Sequence, residues 1–331
     1  MTLLSIATRR TFTQALRHKS KISVTPKFSQ KVNMTTAIFK HIDAAAIPQG
    51  TRPWAKVDTE ATSFKLAEHT RPVNNLRGRE SEFTTDNSGF AVYKEPSKEK
   101  TFRDDAAVRG PYYQEVEGLL KKRIPGIKKV VIFDHTIRRR TPDAARIPVQ
   151  QVHVDQTPAA AAARVRRHLP SDEAEELLKG RFQIINVWRP IENPASDHPL
   201  AVIDWRSTKP DDFIPVDLLY PKRADSATDR DDRGKEVRPD ESTRYSTEGY
   251  EVRGETLSVA PSEAHKFYYQ KDMTPDEVIL LKCYDSFGEG QPLGKPGIAV
   301  GTPHTAFADP QTPKDAPPRQ SIEVRCLVFY E

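Results

Sequence analysis

His153 and Asp155, two positions apart in Gln151-Val152-His153-Val154-Asp155-Gln156, are a pair able to hold a divalent metal. Residues 149–155 alternate in a way that suits a strand, so positions 153 and 155 project from the same face. A neutral imidazole beside a carboxylate supplies two ligands. A second histidine from elsewhere would complete a two-histidine, one-carboxylate facial set, the arrangement that leaves positions open on Fe(II). His304, in Gly301-Thr302-Pro303-His304, is the candidate for that place, with His265 and His198 as alternatives further up the chain. His-x-Asp alone also occurs as ordinary surface or turn sequence.

The C-terminal run adds a second pattern. Read with a period of two, Arg319, Ser321, Glu323 and Arg325 share one face, and Ile322, Val324, Cys326 and Val328 share the other. A polar stripe opposite an apolar one fits a solvated strand face. It also offers a guanidinium fork with a hydroxyl beside it, which is a carboxylate receptor.

Five stretches together carry a resemblance: His153-Val154-Asp155-Gln156-Thr157, Asn186-Val187-Trp188-Arg189-Pro190-Ile191, Lys282-Cys283-Tyr284-Asp285-Ser286, Pro303-His304-Thr305-Ala306-Phe307, and Pro318-Arg319-Gln320-Ser321-Ile322-Glu323-Val324-Arg325. Spread over about residues 110–331, they resemble the Fe(II)/2-oxoglutarate-dependent oxygenases. The closer likeness is to the fungal and bacterial hydroxylases and desaturases of secondary metabolism, which include a cephalosporin methoxylase component, gibberellin desaturase and the aspergillic-acid enzyme. The resemblance implies a mainly β fold with a double-stranded β-helix (jelly-roll) core and flanking helices. It implies Fe(II) on His153, Asp155 and His304, the last preferred because Arg-x-Ser follows it across a single loop. It also implies 2-oxoglutarate chelating that metal, with its far carboxylate on Arg319 and Ser321, or on Arg325 six residues further along. Trp188, Arg189 and Tyr284 are expected on the substrate side. The implied reaction is hydroxylation or desaturation of a small, largely apolar secondary metabolite with O2, with homodimerisation left open. Two other readings use the same ligands: a metal-binding jelly roll without turnover, and a Zn(II) hydrolase.

The elements that must position these residues are short. Residues 112–124 read as an amphipathic helix ended by Pro125-Gly126, and residues 130–133 as a buried strand. His135 follows that strand and reads as a hydrogen-bonded structural residue. Thr157 caps a helix with Pro158 in its first turn and alanines behind it, and Ser171 starts another that Gly180 closes. Strands are expected over 181–188, 202–205, 265–269 and 278–284, with Trp188 and Trp205 as candidate pocket aromatics. Short strands at this spacing suggest an all-β barrel or sandwich. Residues 221–239, with Asp and Arg interleaved, read as a solvated loop.

Composition narrows the rest. The 331-residue chain is 37% hydrophobic, ample for a core. Cys283 and Cys326 form no Cys-x-x-Cys knuckle and sit in apolar runs, as buried thiols of a reducing compartment. No apolar run approaches the roughly 20 residues of a membrane span. The net charge of +5 is uneven: residues 1–42 hold eight of the 51 Lys and Arg and no acid, leaving 43 basic against 46 acidic residues beyond. A slightly acidic body argues against nucleic-acid binding. The chain lacks the Gly-x-Ser-x-Gly of nucleophilic hydrolases and the Gly-x-Gly-x-x-Gly of dinucleotide folds. The division expected is a basic leader over 1–42, a transit peptide or a disordered arm outside the fold; an irregular extension over 43–110 lying on the barrel, with one short strand near Phe90; and a jelly-roll domain over 111–331. Location is expected to be cytoplasmic, or mitochondrial if the leader is a transit peptide.

Overall fold

The computed structural model describes residues 34–59, 61–139, 148–222 and 241–330. Its strands are β1 (Met34–Ile42), β2 (Trp54–Lys56), β3 (Leu66–Asn75), β4 (Phe90–Lys94), β5 (Ile127–Arg139), β6 (His153–Val154), β7 (Phe182–Pro190), β8 (Leu200–Ile203), β9 (Phe213–Pro221), β10 (Tyr250–Val259), β11 (Phe267–Tyr269), β12 (Glu277–Asp285), β13 (His304–Ala306) and β14 (Gln320–Tyr330). They form a nine-stranded sheet in the order β1-β3-β11-β8-β13-β6-β10-β9-β2 and a five-stranded sheet in the order β4-β12-β7-β14-β5. The fold is mainly β, with helices Tyr113–Arg123, Pro158–His168 and Ser171–Leu177 as additions.

Burial explains the strand sequences. All residues of β7 and β12 are buried, because one face of the five-stranded sheet meets the other sheet and its opposite face is covered by helix Tyr113–Arg123. Strands covered on both faces read as nearly continuous apolar runs rather than alternating ones. Ile322, Val324, Cys326 and Val328 of β14 pack with Val116, Leu119 and Leu120 of that helix. The polar stripe of β14 is thereby turned toward the other sheet. Both cysteines are buried free thiols.

Most of the local expectations hold. Thr157 caps the helix Pro158–His168, its hydroxyl accepting from the Ala160 amide at 3.1 Å. His135 is structural: its Nδ1 hydrogen-bonds the Tyr113 hydroxyl at 2.8 Å.

Four expectations need correction. Residues 34–42 are not part of a leader outside the fold: β1 pairs along its whole length with β3 and buries Ala37, Phe39 and Ile42. Its alternation was masked by the basic composition around it. Residues 43–110 do not lie over the barrel but enter both sheets, β3 and β2 in one and β4 in the other. Pro72 is tolerated within β3 because it sits where that strand pairs only with β1, since β11 joins no earlier than Val73. The ladder around His153 is shorter than residues 149–155, and Asp155 stands just past its end. Trp205 is not on a strand: it opens a 3-10 turn after β8 and stacks on Phe213. The transit-peptide reading of residues 1–33 and the acidic-basic insertion from residue 223 onward lie outside the described residues.

Candidate active site

β6 and β13 are antiparallel neighbours, and their register sets His304 directly opposite His153. The two imidazoles therefore rise from one face, with ring centroids 4.5 Å apart. Each ring is fixed the same way: His153 Nδ1 meets the carbonyl of Gln151 at 2.8 Å, and His304 Nδ1 meets that of Thr302 at 2.9 Å. An Nδ1–H donating to a carbonyl leaves Nε2 as the free lone pair, the tautomer a metal needs. Asp155 Oδ1 lies 3.3 Å from His153 Nε2 and 3.8 Å from His304 Nε2. The three ligand atoms fall within 4.8 Å of one another, and this is the one such group among the described residues. His265 and His198 are engaged elsewhere, with Asp212 at 2.9 Å and Asp197 at 2.7 Å.

The second carboxylate oxygen is held from the facing sheet. Asn186 Nδ2 on β7 donates to Asp155 Oδ2 at 2.6 Å, and Cys283 Sγ on β12 lies 3.7 Å from the same atom. Gly301 lets the chain before His304 pass this close, since a Cβ there would stand 2.9 Å from Val154 Cγ1 and 3.2 Å from the Cys283 carbonyl.

Electrostatics agree with the geometry. Burial and the neighbouring His153 push His304 down to about 4, so it is neutral at pH 7. Burial raises the pKa of Asp155, but the adjacent histidines more than offset this and hold it well below the usual range. Burial opposes a charged His153, and Asp155 outweighs it in the other direction. Two imidazoles and an ionised carboxylate, converging with their other atoms already hydrogen-bonded, are a donor set suited to Fe(II), with the metal taking the place of a proton on His153.

The polar stripe of β14 faces this triad, and its members differ. Arg325 forks onto Asp134 at 2.6 and 2.5 Å, so its charge is already paired. Arg319 is buried with no carboxylate on its guanidinium: Nη1 donates to the His198 carbonyl at 2.6 Å, Nε has no partner, and the group lies 5.6 Å from the Trp188 ring. Burial, aided by Arg138, lowers its pKa to about 9, as expected of a cation lacking its anion. Ser321 is buried two residues along. Glu323, next along the stripe, has no hydrogen-bond partner among the described residues, and burial followed by the nearby Asp155 raises its pKa.

Of the expected substrate residues, only Trp188 faces the triad. Arg189 alternates to the opposite face, where it donates to the carbonyls of Glu95 and Pro275 and lies over Tyr112. Tyr284 packs on Phe182 and gives its hydroxyl to Gln291, away from the ligands, because a bulge after Lys282 shifts the alternation of β12. Sequence reasoning gave no role to Asn186, Cys283, Asp134 or Glu323. Asn186 did carry a signal, as the one amide inside the apolar run Ile184-Ile185-Asn186-Val187, where a buried polar group requires a partner.

A two-sheet β fold carrying His-x-Asp and a distant histidine on adjacent strands fits a metal-dependent protein, and comparison with known proteins narrows the class. Residues 41–329 match the family described as "Oxidoreductase/YMDC permease-like domain". The chain is 33% identical to hydroxylase/desaturase efuI of Hormonema carpetanum, over 81% of its length and 87% of that protein. It is also 33% identical to the Fe(II)/2-oxoglutarate-dependent dioxygenase nvfI of Aspergillus novofumigatus, over 81% and 85%. A solved structure of the iron and alpha-ketoglutarate-dependent endoperoxidase NvfI superposes with a TM-score of 0.70 at 29% identity, covering 90% of this chain and 98% of that one. The chain belongs to the hydroxylase/desaturase family of Fe(II)/2-oxoglutarate-dependent oxygenases. Fe(II) and 2-oxoglutarate are accordingly its cofactor and cosubstrate. Neither a zinc hydrolase nor an inert metal-binding protein finds support in these relatives.

Proposed function

We propose that the two sheets are the halves of a double-stranded β-helix, and that the space between them is where a small, largely apolar secondary metabolite is hydroxylated or desaturated. The carrying observation is the pairing of a preorganised His153–Asp155–His304 set with Arg319, a buried guanidinium that lacks a carboxylate. The bound iron and cosubstrate supply the oxidising chemistry toward an unactivated carbon. The chain's own work is positional. The carbonyls of Gln151 and Thr302 keep both Nε2 atoms presented, and Asn186 stops Asp155 from turning away. Arg319 and Ser321 receive the far carboxylate of 2-oxoglutarate, and Trp188 supports the guanidinium from beneath. Arg325 is not available for that task without breaking its fork with Asp134.

The test is an anaerobic absorption spectrum with Fe(II) and 2-oxoglutarate. A weak visible charge-transfer band is expected with the wild type and not with Asp155→Ala. A wild-type protein that binds iron yet shows no band on adding 2-oxoglutarate would end this reading.

A further inference from the structure

A second guanidinium has no anion among the described residues either. Arg164 lies midway along helix Pro158–His168, which begins three residues after Asp155 and is tied down at its start by Thr157. Its guanidinium lies 5.5 Å from the centroid of Phe133. The Arg325 guanidinium lies 5.6 Å from the same ring, and His168 stacks on it at 5.0 Å. Phe133 is the unpaired residue of a β-bulge: Arg325 is opposite Asp134, and Cys326 is opposite Ile132. Bulges of this kind re-aim a side chain out of the regular alternation.

The two arginines on this ring stand differently. Arg325 has both Asp134 oxygens. Among the described residues Arg164 has no carboxylate, hydroxyl or carbonyl acceptor. Burial, then Arg325, lowers its pKa, with Arg167 adding to this while Tyr220 and Asp134 act the other way. A half-desolvated cation beside other cations, with the neighbouring Asp134 carboxylate already taken by Arg325, is an anion receptor.

Its place relative to the iron ligands can be traced. Asp155 touches Asn186, Asn186 is the register partner of Arg325, and Arg325 and Arg164 share the Phe133 ring. Arg319 stands at the other end of the same strand face, six residues from Arg325, about 20 Å of extended backbone. The cosubstrate has two carboxylates, assigned above to the metal and to Arg319, so Arg164 is left for another molecule.

We propose that Arg164 binds an anionic group of the organic substrate, so that the substrate is an apolar molecule bearing a carboxylate or comparable oxyanion. This rests on the oxygenase reading above and narrows its substrate class.

The test uses two fluorescent probes with one ring skeleton, the anion 8-anilinonaphthalene-1-sulfonate and the neutral N-phenyl-1-naphthylamine. Both are titrated into the full chain loaded anaerobically with Fe(II) and 2-oxoglutarate. The wild type is expected to bind the anion at least tenfold more tightly than the neutral probe. Arg164→Gln should abolish that preference while leaving the neutral probe's affinity and the charge-transfer band unchanged, and Arg164→Lys should keep part of it. Equal affinities in the wild type, or a preference that survives Arg164→Gln, would overturn the proposal. So would a weaker response to 2-oxoglutarate in Arg164→Gln, since Arg164 would then serve the cosubstrate. A wild type without the band fails the oxygenase reading itself, a distinct result.

Discussion

Asn186 reaches across from the five-stranded sheet to hold Asp155 Oδ2 at 2.6 Å, so the carboxylate of the candidate metal triad is oriented by the opposite sheet. Outer partners of this kind typically carry 10- to 100-fold of metal affinity. Asn186→Ala is therefore expected to weaken Fe(II) binding by about that factor. Asp155→Ala should abolish binding and turnover while circular dichroism stays native. Iron titrations monitored through the charge-transfer band check both, and undiminished affinity in Asn186→Ala would show that Asp155 needs no such support.

Arg319 and Arg325 should fail in different ways. A charge-assisted fork contributes ~1.5–3 kcal/mol, and 1.4 kcal/mol is about a factor of ten. Arg319→Ala is expected to raise the half-saturating 2-oxoglutarate concentration about ten- to a hundredfold, with Arg319→Lys recovering part. Arg325→Ala instead strands the Asp134 carboxylate, so its main effect should be lost stability. A cosubstrate titration and a urea melt of both variants decide. A large cosubstrate effect confined to Arg325→Ala would move the anchor along the strand.

The N-terminal strand is part of the body. Phe39 stacks on Phe267 with centroids 4.1 Å apart and lies 5.5 Å from Phe307. A chain beginning at Met34 keeps β1 whole and is expected to melt with the full chain. One beginning at Asp43 loses it and should be strongly destabilised. Phe39→Ala should cost about 3–5 kcal/mol, the usual range for emptying a buried aromatic site. Equal melting of all these chains would show that β1 contributes nothing.

His41 makes stability pH-dependent. Its Nδ1 pairs with the Val259 carbonyl at 3.0 Å and its Nε2 is buried without a partner. Burial, with His265, His69 and Arg71 nearby, lowers its pKa to about 4 despite that hydrogen bond. The unfolded chain takes up the proton first, near the ordinary value of about 6.5, so the contribution is full above that pH. It should then be lost as pH falls toward 4, by about 3 kcal/mol in all. Glu277, held near 2 by Arg77 and its hydrogen bonds against burial, acts in a lower window. Urea melts of the metal-free protein at pH 7.5 and 5 should therefore show a drop that His41→Asn, which keeps a donor for Val259, reduces but does not remove, because His304, also lowered to about 4, titrates in the same window. An equal drop in the variant would assign the effect elsewhere.

The three candidate metal ligands were legible because each signal is local or nearly so. His153 and Asp155 are two residues apart, and His304 precedes the Arg319–Ser321 pattern across one loop. The cap at Thr157 and the alternation of β14 were readable for the same reason: hydrogen bonds within a turn and a period of two depend on neighbouring residues alone. Beyond these, Arg319 and Arg325 look alike in sequence. Only the pairing of β5 with β14, which brings Asp134 to Arg325 and no carboxylate to Arg319, separates the two. Arg189 and Tyr284 were misplaced because facing depends on which side a helix covers and on where a bulge falls. β1 went unseen because an edge strand's identity lies in its partner, β3, some thirty residues on. Sequence alone thus determined the ligand types, their spacing and the period of the elements that bear them. Which side chains converge, and which charges are left unpaired, was decided by contacts between residues tens to hundreds of positions apart, where burial leaves one guanidinium without a carboxylate and ties the other into an ion pair.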